Sequence, residues 1–239
     1  MKALFRKFIG SNINEEDRNR WLAVTLAAIP SGLRILDAGA GELRNKPLCA
    51  HLQYVSQDVC QYEGVGDTQG LQTGAWDTSK IDLICDIVNV PEPDASFDVI
   101  LCSEVFEHLP DALKALDEFA RLLRPGGKLI ITAPFASLVH FAPYHYSTGF
   151  SRYWYEYQLP LRKFKIQELT PNGDWFSYAK QEILRLPGMA RRYGDCCWPL
   201  AYLVAGCGLV YFSLRGKSRL ADDVACFGWH RVSVKQKTD

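Results

Sequence analysis

An α/β fold is what this sequence predicts: a seven-stranded, mostly parallel sheet with helices on both faces. Three observations predict it. From residue 33 onward, short apolar runs bounded by turn residues alternate with stretches of helical spacing. Most of these runs are apolar throughout, as strands covered on both faces are. Finally, 239 residues with 48% apolar and 23% charged side chains suffice for one such core, which excludes disordered and fibrous classes.

The elements follow in order. Asn14, followed by Glu15, Glu16 and Asp17, reads as an N-cap with acids in the first turn, opening a helix that Pro30 closes. Residues 33–37 form a first strand, punctuated at once by Gly39 and Gly41. Residues 54–58 and 81–86 form a second and a third, ending in Asp58 and Asp86, and residues 97–102 form a fourth. Between 111 and 123, apolar residues at 113, 116, 119, 120 and 123 have helical spacing, and residues 124–127, with Pro125 and two glycines, end that helix. Residues 128–132 form a fifth strand, 164–169 a sixth and 229–235 a seventh. The organisation expected is an N-terminal helical segment over 1–30, the main domain over 31–170, a helical and apolar insertion over 171–225, and the last strand within 226–239.

Charge and cysteine usage narrow the class. Lys and Arg total 27 against 27 Asp and Glu, a neutral balance that argues against nucleic acid as an obligatory partner. The eight cysteines form no C-x-x-C pair, and Cys85 and Cys102 fall inside apolar runs, so buried reduced thiols are expected. The first ten residues alternate basic and apolar side chains and lack the uninterrupted apolar core of a secretory signal, which predicts a cytoplasmic protein. Residues 196–214 carry no charge and are flanked by Arg191, Arg192, Arg215, Lys217 and Arg219. A bilayer span needs ~20 apolar residues, but Pro199, Gly206, Gly208 and three cysteines dilute this stretch, and spanning would separate the last strand from its sheet. A buried helix, or one that contacts a second copy in a homodimer, is expected first; peripheral membrane contact comes second.

The candidate site follows from placement. In parallel sheets ligands bind at the carboxyl ends of strands, beside the point where strand order reverses. Asp37, Gly39, Gly41, Asp58 and Asp86 all fall at such ends. The glycines let the backbone approach a ligand closely. Arg44 stands where a dinucleotide fingerprint has its third glycine, which weakens a nicotinamide reading, and Asp37 suits a cationic ligand better than a pyrophosphate. Asp58 is placed to accept from ribose hydroxyls. Each acid alone is an ordinary strand-end residue; the three together carry weight.

These residues resemble the motifs of the class I S-adenosylmethionine-dependent methyltransferases, in the large branch that acts on small molecules and glycans. The resemblance runs over roughly residues 21–159. Leu36, Asp37, Ala38, Gly39, Ala40 and Gly41 look like the motif at the methionine end of the cofactor, Asp58 like the ribose-binding acid, and Asp86 with Ile87 like the pair beside the adenine. Residues 103–111 and 123–129 are similar to the family's fourth- and fifth-strand signatures. The resemblance implies a Rossmann-like fold and S-adenosylmethionine held by Asp37, Ala38, Gly39, Gly41, Asp58, Asp86, Ile87 and Ser103.

Methyl transfer from a sulfonium is an in-line displacement that needs chiefly alignment and exclusion of water, with a base only for a neutral acceptor. Glu104, Glu107 and His108 stand at i, i+3 and i+4, on one face of any helix that begins near Ser103. The pattern is similar to the metal-binding helix of small-RNA 2′-O-methyltransferases and of some ubiquinone-pathway O-methyltransferases, where a later histidine, here His145, completes the set. Glu-His is also common in metal-free members, so no metal is expected, and Glu104, Glu107, His108 and His145 stand as the minority metal reading. Residues 140–157, crowded with His, Tyr and Trp, resemble a linker of methyltransferases associated with surface-polysaccharide biosynthesis. Tyr144 and His145 are the loop candidates, Trp154 and Tyr157 are assigned to packing, and His230 to the last strand. The function expected is S-adenosylmethionine-dependent methyl transfer to a small-molecule or glycan-like acceptor, at oxygen, with His145, His108, Glu104 and Tyr144 on the acceptor side. A metal-assisted RNA 2′-O-methyltransferase and a catalytically silent cofactor-binding partner are the alternatives.

Overall fold

A computed structural model describes residues 13–215 and 221–237. The described residues divide into two compact units, one of residues 18–170 with 228–237, the other of residues 13–17 with 171–215 and 221–227. The helix α1 (Ile13–Ala27) has residues in both units. The first ten residues, Lys217 and Arg219 lie outside the described residues.

The larger unit holds β1 (Arg34–Ala38), β2 (Gln53–Asp58), β3 (Leu83–Ile84), β4 (Phe97–Ser103), α2 (Ala112–Leu122), β5 (Leu123–Pro134), α3 (Arg152–Leu161), most of β6 (Phe164–Asn172) and β7 (Gly228–Lys235). The sheet order is β3-β2-β1-β4-β5-β7-β6. β1 pairs in parallel with β2 and β4, β2 with β3 and β4 with β5, whereas β7 runs antiparallel to β5. The order reverses between β1 and β4, which opens a crevice at their carboxyl ends.

Alternation along each strand divides the apolar residues between two faces. Ile35, Val99, Leu101 and Ile130 pack with Leu22 and Leu26 of α1, Ile29 and Cys49. Helix α2 starts at Asp111, whose side chain accepts from the amides of Leu113 and Lys114, and buries Ala115, Leu116, Phe119 and Leu122. Helix α3 starts at Ser151 and buries Tyr155 and Leu159. Tyr157, assigned to packing from sequence, is instead 67% exposed; Trp154 does pack, against Phe106 and Phe150.

The third strand is shorter than its apolar run suggested. The Asp82 carboxylate accepts from the amide and hydroxyl of Ser56, and Asp86 accepts from the Val88 amide, so only Leu83 and Ile84 join the ladder. Asn14 is not an N-cap but lies inside α1, where its carbonyl and side-chain oxygens accept from Asn172.

In the other unit, α4 (Trp175–Arg192) is capped by Asp174, whose side chain accepts from the Ser177 amide, and α5 (Trp198–Leu214) packs beside it. Of α5 only Ala201 and Ala205 are buried, while Leu200, Leu203, Val210, Tyr211 and Leu214 are more than half exposed. This corrects the expectation of a buried helix: α5 is apolar on every side, and one neighbouring helix covers only the stripe of small residues. Among the described residues, no helix is long and apolar enough to cross a membrane. The cysteines are corrected likewise. All eight are unbridged thiols, but Cys196, Cys197 and Cys207 are exposed.

Candidate functional site

The cavity of interest opens at the carboxyl ends of β1, β2 and β4 and has a volume of roughly 200 Å³. Gly39, Asp58, Asp86 and Ile87 line it, which brings together one residue from each of the three acidic or glycine-bearing strand ends and the apolar neighbour of the last. Gly39 has φ +74°, and a Cβ there would lie 2.5 Å from Cγ2 of Val105, another lining residue. Only glycine fits this turn.

Asp58 holds the turn closed. Its Oδ2 accepts from the Gly41 amide at 2.9 Å and its Oδ1 from the Cys60 amide at 2.8 Å. Each oxygen keeps a second lone pair for a ligand hydroxyl. Gln57, which sequence reasoning passed over, is buried and acts as a clamp. Its backbone carbonyl accepts from the Gly39 and Ala40 amides, and its side chain bonds the Gly39 amide and the Cys85 carbonyl.

Several expected contacts lie elsewhere. Asp37 is buried at the end of β1 and accepts from the Tyr54 hydroxyl at 2.7 Å instead of lining the cavity. Burial pushes its carboxyl up to about 6, opposed by the bonds from Tyr54 and Asn45 and reinforced by the Asp58 charge. Ala38 is buried in the strand, and the Ser103 hydroxyl bonds that of Thr132 at 2.8 Å. Gly41 contributes through its amide and lies under Trp76, whose ring would be 3.0 Å from an added Cβ.

The other wall is aromatic: Tyr62, Trp76, Phe141, Tyr144 and Tyr146. Tyr62 stacks on Phe141 with centroids 4.5 Å apart, and Trp76 sets its ring edge-on to both. Tyr62 and Trp76 come from the long connection between β2 and β3. Two aromatics among four glycines are the signal in the sequence that marks this connection.

No helix begins at Ser103. Glu104 has φ +56°, and only a short 3₁₀ turn, Phe106–His108, follows. The shared helical face of Glu104, Glu107 and His108 is thereby corrected: Glu104 lines the cavity and pairs with Arg18 at 3.0 Å, whereas Glu107 is 1% exposed. His108 lines the cavity too, its Nδ1 bonded to the Tyr144 carbonyl at 2.6 Å. That bond requires the proton on Nδ1 and leaves the Nε2 lone pair free. Burial lowers the His108 imidazole to about 3, and burial with the Glu104 charge holds the Glu107 carboxyl well above its ordinary range. His145 is not on the cavity wall; it lies behind His108, with ring centroids 5.9 Å apart, and burial lowers it as well. His230 is a buried strand residue stacked on Trp21, as the sequence suggested.

A glycine turn that admits only bare backbone, a carboxylate at the end of β2 and an acid with an apolar neighbour after β3 suit a nucleoside with an amino-acid tail. Together with the sheet order they fit the class I S-adenosylmethionine-dependent methyltransferases that the sequence resembles. Residues 36–131 match the sequence profile of a family described as a methyltransferase domain. A ubiquinone biosynthesis O-methyltransferase from Xylella fastidiosa (strain M23) is 36% identical over 106 residues, covering 43% of this chain and 42% of the relative. The match thus spans about two fifths of that relative's length. Among solved structures, the [4+2]-cyclase SpnF has a TM-score of 0.56 at 16% identity, covering 93% of this chain and 81% of its own. A protein described as a putative sarcosine dimethylglycine methyltransferase from Galdieria sulphuraria has a TM-score of 0.52 at 16% identity, covering 93% and 85%. These two likenesses are of fold. The cofactor of the class is S-adenosylmethionine.

Proposed function

We propose that this protein transfers a methyl group from S-adenosylmethionine to a hydroxyl oxygen on a ring-bearing small molecule. The observation that carries the reading is one cavity in which Gly39, Asp58, Asp86 and Ile87 face an aromatic wall with His108 beside it. The cofactor supplies an electrophilic methyl group on a sulfonium. Asp58 accepts from ribose hydroxyls while keeping the Gly41 and Cys60 amides in place, and Ile87 offers an apolar surface to the base. Tyr62, Phe141 and Tyr144 grip the face of a flat acceptor and exclude water. His108 is neutral around pH 7, and its ring, held by the Tyr144 carbonyl, lines the cavity where it orients the acceptor.

Oxygen as the acceptor atom draws support from the O-methyltransferase relative, and a ring from the aromatic wall. The experiment is transfer of labelled methyl from S-adenosylmethionine to a panel of hydroxylated aromatics, hexopyranosides, short RNAs and primary amines. Labelling of an aromatic hydroxyl, with a lower kcat in His108→Ala, is the expected result. Labelling of hexopyranosides alone would replace the aromatic acceptor by the glycan expected from sequence. Labelling of RNA or amines alone, or of nothing, would overturn the proposal.

A further inference from the structure

The loop that follows β5 folds back on the 106–108 turn. The amides of Tyr146 and Ser147 donate to the Glu107 carbonyl at 2.9 and 3.1 Å, and His108 bonds the Tyr144 carbonyl. This fold-back carries two more imidazoles to His108. Ring centroids are 4.6 Å apart for His108 and His140 and 4.9 Å for His140 and His145, and one potential ligand atom from each lies within 4.8 Å of the others. The Glu107 carboxylate faces the same point, with Oε1 3.7 Å from His108 Nε2 and 3.8 Å from His140 Nε2.

Hydrogen bonding sets both of these imidazoles up as donors of a lone pair. His108 Nδ1 is bonded to the Tyr144 carbonyl and His140 Nδ1 to the Leu138 carbonyl at 2.8 Å, so the proton of each sits on Nδ1 and each Nε2 is bare. Metal-ligating histidines are oriented in this way, the distal nitrogen donating to a carbonyl or carboxylate. Among the described residues, Glu107 Oε2, His108 Nε2 and both nitrogens of His145 are buried without a hydrogen-bond partner. Four such atoms in one place are costly to leave unsatisfied. Separations of 3.7 and 3.8 Å are too long for Glu107 to resolve the matter by hydrogen bonds to the two imidazoles.

We propose that Glu107, His108, His140 and His145 bind one divalent first-row transition ion. Three imidazoles and a single carboxylate suit zinc or cobalt better than magnesium, which prefers an all-oxygen octahedron. The ligand atoms need to close from 4.8 Å at the widest to the ~3.4 Å between ligands of a tetrahedral ion. Glu104, part of the set implied by resemblance, is excluded by its pairing with Arg18, and His140 takes its place. The site stands on its own donors. A role for the ion in lowering the pKa of an acceptor hydroxyl, through its place beside the cavity, rests on the methyl-transfer reading.

The test needs no substrate. Chelator-stripped protein is titrated with Co²⁺ and then Zn²⁺, following visible absorption, bound metal and Tm. One equivalent of Co²⁺ is expected, with visible ligand-field bands, no thiolate charge-transfer band, displacement by Zn²⁺ and a raised Tm. His140→Ala, His145→Ala and Glu107→Gln should each lose stoichiometric binding, while Cys196→Ser/Cys197→Ser, which removes the exposed thiols beside Asp195, should keep it. Melting in chelator identifies the folded variants; both His140 and His145 are only partly buried, so at least these two are expected to match the parent there. Absence of stoichiometric binding, its survival in both folded histidine variants, or its loss in the double cysteine variant would overturn the proposal.

Discussion

Replacing Asp37 by Asn should stabilise the protein above neutral pH and change its stability little in acid. The carboxyl is buried at the end of β1, and burial raises it from 3.8 to about 6, against the opposing bonds from Tyr54 and Asn45. A carboxyl raised in the folded state holds more protons there than in the unfolded chain, so stability falls as pH rises from 3.8 through about 6. At ~1.4 kcal/mol per pH unit, the ionised carboxylate costs about 3 kcal/mol by pH 8. Asparagine keeps an oxygen to accept from the Tyr54 hydroxyl and carries no charge, so it removes that cost. Urea unfolding of parent and variant at pH 8 and pH 4 measures the effect, other titrating groups being common to both. The variant should be more stable by up to about 3 kcal/mol at pH 8, with the pH-dependent difference reduced to about 0.6 kcal/mol at pH 4. A difference independent of pH, or a parent more stable at pH 8, would refute the assignment of Asp37 as a strained buried charge. A cationic ligand at the turn beside it, the class that Asp37 was expected from sequence to suit, would offset that cost.

Two further outcomes follow from the same geometry. Gly39→Ala should abolish cofactor binding, because its Cβ would enter Val105; Val105→Ala in the same chain should recover part of the binding, the residual deficit being the ~1 kcal/mol of a strained left-handed backbone, read by titration. The cavity of roughly 200 Å³ is smaller than the ~300 Å³ of a small-molecule site. Tyr62, Trp76 and Phe141 must therefore part as the cofactor enters, and tryptophan emission should change on binding in the parent but not in Trp76→Phe.

The sequence revealed those elements whose cause is local. Strands 1, 4 and 5 are legible because runs such as Val99 to Cys102 are apolar on both faces, and α2 because its apolar residues recur at helical spacing behind Asp111; strands 2, 6 and 7 also lie where the sequence placed them. The ends of β1 and β2 followed, since a carboxylate terminating a buried strand is visible in one dimension. What was missed depends on distant partners. Asp82 is drawn to Ser56 and shortens β3; Glu104 turns to Arg18 through a left-handed backbone, which no helical spacing reveals. Asp37 showed its position but not its partner, Tyr54. His140 and His145 reach His108 only because amides at 146 and 147 dock on the Glu107 carbonyl. The exposure of α5 was illegible for the opposite reason: an uncharged run reads as buried whichever neighbours are there to cover it.

Calorimetric titration of the purified protein and of Asp58→Ala with S-adenosylmethionine and its demethylated product tests the central claim most directly. Both ligands are expected to bind the parent, and Asp58→Ala to weaken binding by more than ~1 kcal/mol, the scale of a lost charge-assisted hydrogen bond. Absence of binding to the parent, or equal affinity in the variant, would contradict the assignment of the cavity at Gly39, Asp58 and Asp86 as the cofactor site.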